Sequence, residues 1–143
     1  MIGIGVVGYG YWGPNLVRNF AELSRAKLVG VSDLDNKRLG LVSARYPGIK
    51  TTTDYHELLR DPAIDAIVIA TPVSTHFPIA MAALKAGKHV WLAKPMTETS
   101  LQAKQLVEVA TKRNLVLLVD HTFVYTGSIR KVAEIVRSPE MGN

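Results

Sequence analysis

Short apolar runs alternate with longer amphipathic ones along almost the whole chain, and this alternation restricts the fold more than any other feature. "IGIGVV" (2–7), "KLVGVSD" (27–33), "DAIVIATP" (65–72), "KHVWLAK" (88–94) and "LVLLVDH" (115–121) read as strands, with a brief extended "KTTT" (50–53) after the "PG" break at 47–48. Residues 11–23, 36–46, 54–61, 75–87, 98–114 and 127–138 read as the intervening helices; Leu16, Val17, Phe20 and Leu23 share one side of the first. Asp54 is placed to cap the third helix with Glu57 at capping-box spacing, and Gly87 to close the fourth. The run at 65–72 is apolar on both faces, so both must be covered. Such strands separated by helices predict a doubly wound α/β fold: a parallel sheet of about six strands, helices on both faces, right-handed crossovers.

Composition narrows the function classes. With 143 residues the chain reads as one domain, 1–143, able to bury a real core. No apolar run approaches the roughly 20 residues that span a bilayer, so no membrane partner is expected. Met1 leads straight into "IGIGVV" without a basic region, which is unlike a secretory signal. Zero cysteines exclude disulfides and thiolate metal sites and fit a reducing cytoplasm, the expected location. The net charge is +5, but Lys and Arg are scattered among Asp and Glu, which reads as a solvated surface and not a nucleic-acid site. His56, His76, His89 and His121 fall on different elements at no ligand-like spacing, so no metal is expected. Ser74 near His76 lacks a nucleophile-elbow context. The polar "SPEMGN" after the last helix reads as the start of a linker or a following domain.

The sharpest motif is "GVVGYGYWGPN", in which Gly8, Gly10 and Gly13 form G-x-G-x-x-G between the first strand and the first helix. Gly8 permits a tight turn, Gly10 lets a pyrophosphate approach the backbone, and Gly13 lets the helix pack close to the strand. Free N–H groups at the helix start suit phosphates, and Pro14 fits a first helical turn. Asp33 ends the second strand 20 residues beyond Gly13, placed to accept the adenine-ribose hydroxyls, which favours NAD over NADP. The bland alternative is a glycine-rich turn with Asp33 a solvated strand end. Asp35 competes for the ribose role but also suits an N-cap. Arg38 reads as an exposed helical arginine, and is the one residue able to soften the NAD preference by reaching a 2′-phosphate.

With "VSDLD", the stretch "IDAIVIATPVSTHFPIAMAALKAGKHVWLAKPMTETSLQAKQL" and "VDHTFVYTGSIRKVAEI" following in order, the chain resembles the Gfo/Idh/MocA oxidoreductases over essentially its whole length. "GYGYWGPN" and "DHTFVYTG" resemble most the nucleotide-sugar 3-dehydrogenases (UDP-N-acetylglucosamine type) within that family. The resemblance implies a Rossmann-type dinucleotide-binding domain, with the family's C-terminal substrate and catalytic domain outside residues 1–143. It implies that Tyr11 and Trp12 offer backbone N–H groups to the pyrophosphate, alongside Gly8, Gly10 and Gly13. Thr71, Pro72 and His76 line the cofactor near its middle on this reading; for His76 a locally packed helix-start histidine stands as an equal alternative. The family's Glu-Lys-Pro motif is Ala93-Lys94-Pro95 here. Lys94 corresponds to the lysine beside the nicotinamide ribose and the reacting carbon, the candidate catalytic residue, with Pro95 beside it. The missing glutamate predicts weaker binding at the nicotinamide end. Asp120 and His121 end the sixth strand and are not the family's catalytic pair.

Two functions follow as expectations. One is an NAD(H)-binding domain of a sugar or nucleotide-sugar dehydrogenase, competent to bind but not to turn over alone, and homo-oligomeric. The other is a scaffold or assembly unit that self-associates through apolar surface around Tyr125 and the last helix. A NAD-responsive regulator has no helix-turn-helix or basic recognition helix in its favour.

Overall fold

The computed structural model describes residues 1–138 and 141. Six strands are present: β1 (Ile2–Val7), β2 (Ala26–Ser32), β3 (Lys50–Thr52), β4 (Ala66–Ile69), β5 (His89–Leu92) and β6 (Leu117–Val119). The helices are α1 (Gly13–Glu22), α2 (Asn36–Arg45), α3 (Tyr55–Arg60), α4 (His76–Lys85), α5 (Ser100–Lys112) and α6 (Gly127–Val136), with 3-10 turns at Val73–Thr75 and Thr122–Tyr125. The strands form one sheet in the order β3-β2-β1-β4-β5-β6, every neighbouring pair parallel. This is the doubly wound Rossmann-type α/β fold, its strand order reversing between β1 and β4.

Side-chain alternation divides the core between the two faces of the sheet. Ile4 and Val6 of β1, Leu28 and Val31 of β2 and Val68 of β4 join Val17 of α1 and Leu39 and Val42 of α2. Val7, Ile67, Ile69, Val90 and Leu92 point the other way, against Leu58 and Leu59 of α3, Ile79, Ala80, Ala83 and Leu84 of α4, and Leu106 and Ala110 of α5. Each central strand thus feeds two cores at once, as its unbroken apolar run requires.

The elements stand where the alternation of apolar and amphipathic runs places them, with tighter ends. The first helix starts at Gly13 and not at residue 11, because residues 10–12 form a loop. The β5 and β6 ladder runs only from Val90↔Leu117 to Leu92↔Val119, so Lys94 lies beyond the strand and not at its tip. Asp54 caps α3 through the His56 N–H (2.9 Å), but no capping box forms. The Glu57 carboxylate turns instead to Lys50, 3.3 Å away. The backbone hydrogen bond from His56, helped by its ring, holds the Asp54 carboxyl below its usual range. Gly87, at φ +80°, follows α4 as expected of a helix-ending glycine. No helix among the described residues is long and apolar enough to cross a membrane.

The two-core arrangement makes position decide cost. Leu84, fully buried under the sheet, should lose about 2–5 kcal/mol on replacement by Ala. Leu101, exposed on α5, should lose no more than about 0.5 kcal/mol. Urea unfolding of the two variants measures the difference, and equal midpoints would contradict the packing of α4.

Candidate dinucleotide-binding site

Because all six strands run the same way, the residues that follow them gather along one edge of the sheet. Gly8 follows β1, Asp33 follows β2, Thr71 and Pro72 follow β4, and Lys94 and Pro95 follow β5. The crevice opens where the strand order reverses, at the carboxyl ends of β1 and β4, which is where open α/β sheets bind ligands.

The glycine loop is shaped by three different steric demands. Gly8 sits at φ +99°, and a Cβ there would lie 2.7 Å from the Ala70 carbonyl oxygen. A Cβ on Gly13 would collide with the Gly8 carbonyl oxygen, so α1 can approach β1 only as glycine. Gly10 is different: a Cβ would meet only Arg38 Nη1, at 3.6 Å. Space is therefore open above Gly10. The backbone N–H groups of residues 10–13 find no acceptor among the described residues, while the Trp12 carbonyl accepts from Asn15 and Leu16 and starts the helix. The Tyr11 and Trp12 rings are exposed and meet edge to face at 5.4 Å. Free donors, an open floor and a helix start fit the diphosphate of a dinucleotide.

Asp33 is buried beneath this loop, 8% exposed. Its Oδ2 accepts the Tyr9 N–H at 2.6 Å and its Oδ1 the Asp35 N–H at 2.9 Å, so the carboxylate ties the end of β2 to the glycine loop. Asp35 takes the other role open to it and caps α2 through the Lys37 N–H (2.8 Å). Arg38 is drawn into the site: Nη1 lies 3.5 Å from Asp33 Oδ2 and Nε 3.7 Å from Asp35 Oδ2. Burial, reinforced by Tyr46 and opposed by Arg45, pushes the Tyr9 phenol above its usual value and keeps that core hydroxyl neutral.

The other wall is held by His76, which is 1% exposed. Nε2 lies 2.9 Å from the Thr71 carbonyl oxygen and Nδ1 2.9 Å from that of Pro95. Both oxygens can only accept, so a neutral ring donates to one of them at a time. His76 therefore joins the loops after β4 and β5 from behind. The Thr75 hydroxyl bonds to Thr71 Oγ1 and to the Pro72 carbonyl, both at 2.7 Å. Ala93 continues the strand pairing through its N–H to the Ile69 carbonyl (3.0 Å), Lys94 is exposed, and the Lys94–Pro95 bond is cis. Lys94 makes no ion pair among the described residues.

Two contributors escape sequence reasoning. Tyr9 acts through its backbone N–H, which no side-chain pattern announces. Thr75 acts through a hydroxyl that only the fold of the 3-10 turn aims at Thr71. Arg38 was legible by its spacing, three residues after Asp35, which places both on one helical face.

Comparison with known proteins agrees with this geometry. Residues 2–121 match the model of the Gfo/Idh/MocA oxidoreductase family, NAD-binding Rossmann fold. An uncharacterized oxidoreductase of Escherichia coli (strain K12), YdgJ, is 40% identical over 121 residues, covering 84% of this chain and 34% of that protein. The scyllo-inositol 2-dehydrogenase (NADP(+)) IolW of Bacillus subtilis (strain 168) is 31% identical over 120 residues, 84% of this chain and 33% of its own. The crystal structure of GenD2, from gentamicin A biosynthesis and in complex with NAD, superposes with a TM-score of 0.89 at 32% identity, over 97% of this chain and 40% of that one. The chain thus spans between a third and two fifths of the length of these relatives. The glycine loop, the buried Asp33 and the parallel six-stranded sheet, together with these matches, establish that the chain belongs to the Gfo/Idh/MocA oxidoreductase family and forms its NAD-binding Rossmann domain.

Proposed function

We propose that this chain is the NAD(H)-binding part of an oxidoreductase acting on a hydroxyl or ketone of a sugar, a nucleotide sugar or a related polyol. The observation that carries this reading is the convergence of the glycine loop, Asp33 and Lys94 on one edge of the sheet. Bound nicotinamide supplies the hydride chemistry; the chain's residues supply position and charge. The N–H groups of residues 10–13 hold the pyrophosphate. Asp33 accepts the adenine-ribose hydroxyls, and its buried negative charge favours NAD over NADP. Thr71 and Pro72 form the wall beside the middle of the dinucleotide, with His76 supporting that wall from behind. Lys94 brings an ammonium to the nicotinamide end, where it stabilises negative charge developing on the substrate oxygen. Residues 1–143 act as the dinucleotide-binding domain, and the rest of the substrate site belongs to sequence beyond them.

The apolar surface beyond β6 supports a second element of the proposal. Phe123, Val124 and Tyr125 are exposed, as are Ile129, Val132 and Val136, which recur at helical spacing along α6. Such a face is covered in a working assembly, here by another copy of the chain. Light scattering across a concentration series should show mass rising above 15.6 kDa, and a monomer at the highest concentration would remove this element.

Saturating NAD(H) should raise the melting temperature; about 100-fold above Kd the stabilisation is about 2.7 kcal/mol, several degrees for a chain of this size. No shift at millimolar cofactor would sink the reading. The glycines separate binding from folding. Gly10→Ala should keep the parent melting temperature yet weaken NAD+ by about tenfold or more, because the new methyl occupies the open floor. Gly13→Ala should lower stability itself, since its methyl collides with backbone. Calorimetry and thermal melts on both variants check the contrast.

A further inference from the structure

We infer that Arg38 is a specificity-determining residue that admits the 2′-phosphate of NADP(H), so that this chain binds both dinucleotides while preferring NAD(H). The inference rests on the dinucleotide reading above. The Arg38 guanidinium stands at the mouth of the site: Nη1 is 3.5 Å from Asp33 Oδ2 and 3.6 Å from where a Gly10 Cβ would be. It therefore bridges the glycine loop and the carboxylate assigned to the adenine ribose, the place where a 2′ substituent must lie.

Its present partners hold it loosely. The Arg38 side chain is 49% exposed, its two ion pairs measure 3.5 and 3.7 Å, and no hydrogen bond joins it to Asp33 or Asp35 among the described residues. Exposed pairs of this length exchange readily for a better partner. Asp33 does not depend on Arg38 either, because the Tyr9 and Asp35 N–H groups already meet its two oxygens. Release of Arg38 leaves no buried charge unpaired. A phosphate offers about −1.5 to −2 of charge and oxygens that match the guanidinium fork, a stronger partner than either carboxylate.

The other basic groups nearby are committed elsewhere. Arg45 lies 5.5 Å from the Tyr46 ring centroid, and Lys50 pairs with Glu57. Asp33 and Arg38 thus oppose each other across one position: the carboxylate disfavours a 2′-phosphate and the guanidinium compensates. With NAD(H) the ribose hydroxyls bond to Asp33 and Arg38 stays beside it. With NADP(H) Arg38 swings to the phosphate.

Calorimetry on the whole chain tests this, using NAD+ and NADP+ and, to isolate the adenine end, AMP and 2′,5′-ADP. The chain should bind both dinucleotides, NAD+ more tightly. Arg38→Ala should weaken NADP+ and 2′,5′-ADP by about tenfold or more while changing NAD+ and AMP by less than about threefold. Arg38→Lys should retain part of the NADP+ affinity, since it keeps the charge but not the fork. Asp33→Ala should shift the ratio the opposite way. Equal losses for phosphorylated and unphosphorylated ligands would overturn the inference and make Arg38 a general adenine contact. Binding of NAD+ with no measurable NADP+ would overturn it as well. Failure of all four ligands would instead overturn the dinucleotide reading, and this inference with it. A thermal melt of each variant separates any loss of fold from loss of ligand.

Discussion

Everything at the site depends on one constraint, that all six strands run in the same direction. A parallel sheet needs a crossover between each pair of strands, and the crossovers supply helices to both faces. That is why the apolar runs are continuous and why the core splits in two, with Val6 and Val68 facing one side and Val7 and Ile69 the other. The same constraint sends every strand's carboxyl end to one edge. Residues as distant in sequence as Gly8, Asp33, Thr71 and Lys94 become neighbours of one crevice without any long loop to bring them there.

Convergence alone does not make a rigid site; a small set of hydrogen bonds between side chains and backbone does. Asp33 is the first, joining β2 to the glycine loop through Tyr9 and opening α2 through Asp35. A buried carboxylate would be costly if unpaired, but here both oxygens accept N–H groups, so its charge stays available to a ligand. His76 is the second, reaching from the start of α4 to the loops after β4 and β5. Between them the two residues brace both sides of the crevice. Each is buried, and each acts on backbone, so the frame is independent of the exposed side chains around it.

This division explains what the sequence made legible. Strand and helix positions could be read because burial on both faces leaves an unmistakable apolar run, and the glycine motif could be read because its three steric demands admit one residue type. The ends of the elements could not. Whether β5 stops at Leu92 or Lys94 depends on which residue of β6 lies beside it, a tertiary fact. The Glu57 carboxylate was drawn to Lys50 on β3 and away from its own helix, for the same kind of reason. Asp33 and Asp35 looked interchangeable in "SDLD" and separated only when the loop of β1 placed the Tyr9 N–H over one of them. Local pattern identifies the actors, while packing assigns their roles.

The segment Ala93-Lys94-Pro95 shows what that separation implies for the site. Ala93 is held by its N–H on the Ile69 carbonyl, and the Pro95 carbonyl lies against His76. Lys94 is thus anchored on both sides through backbone, with no part taken by the side chain at position 93. A carboxylate at 93 would add charge beside the ammonium and a further acceptor for a ligand, but the path of the chain does not require it. Alanine in this place removes an electrostatic contribution while leaving the position of Lys94 to the backbone contacts that already determine it. The nicotinamide end of the crevice therefore keeps its shape and loses a charge, whereas the adenine end keeps both.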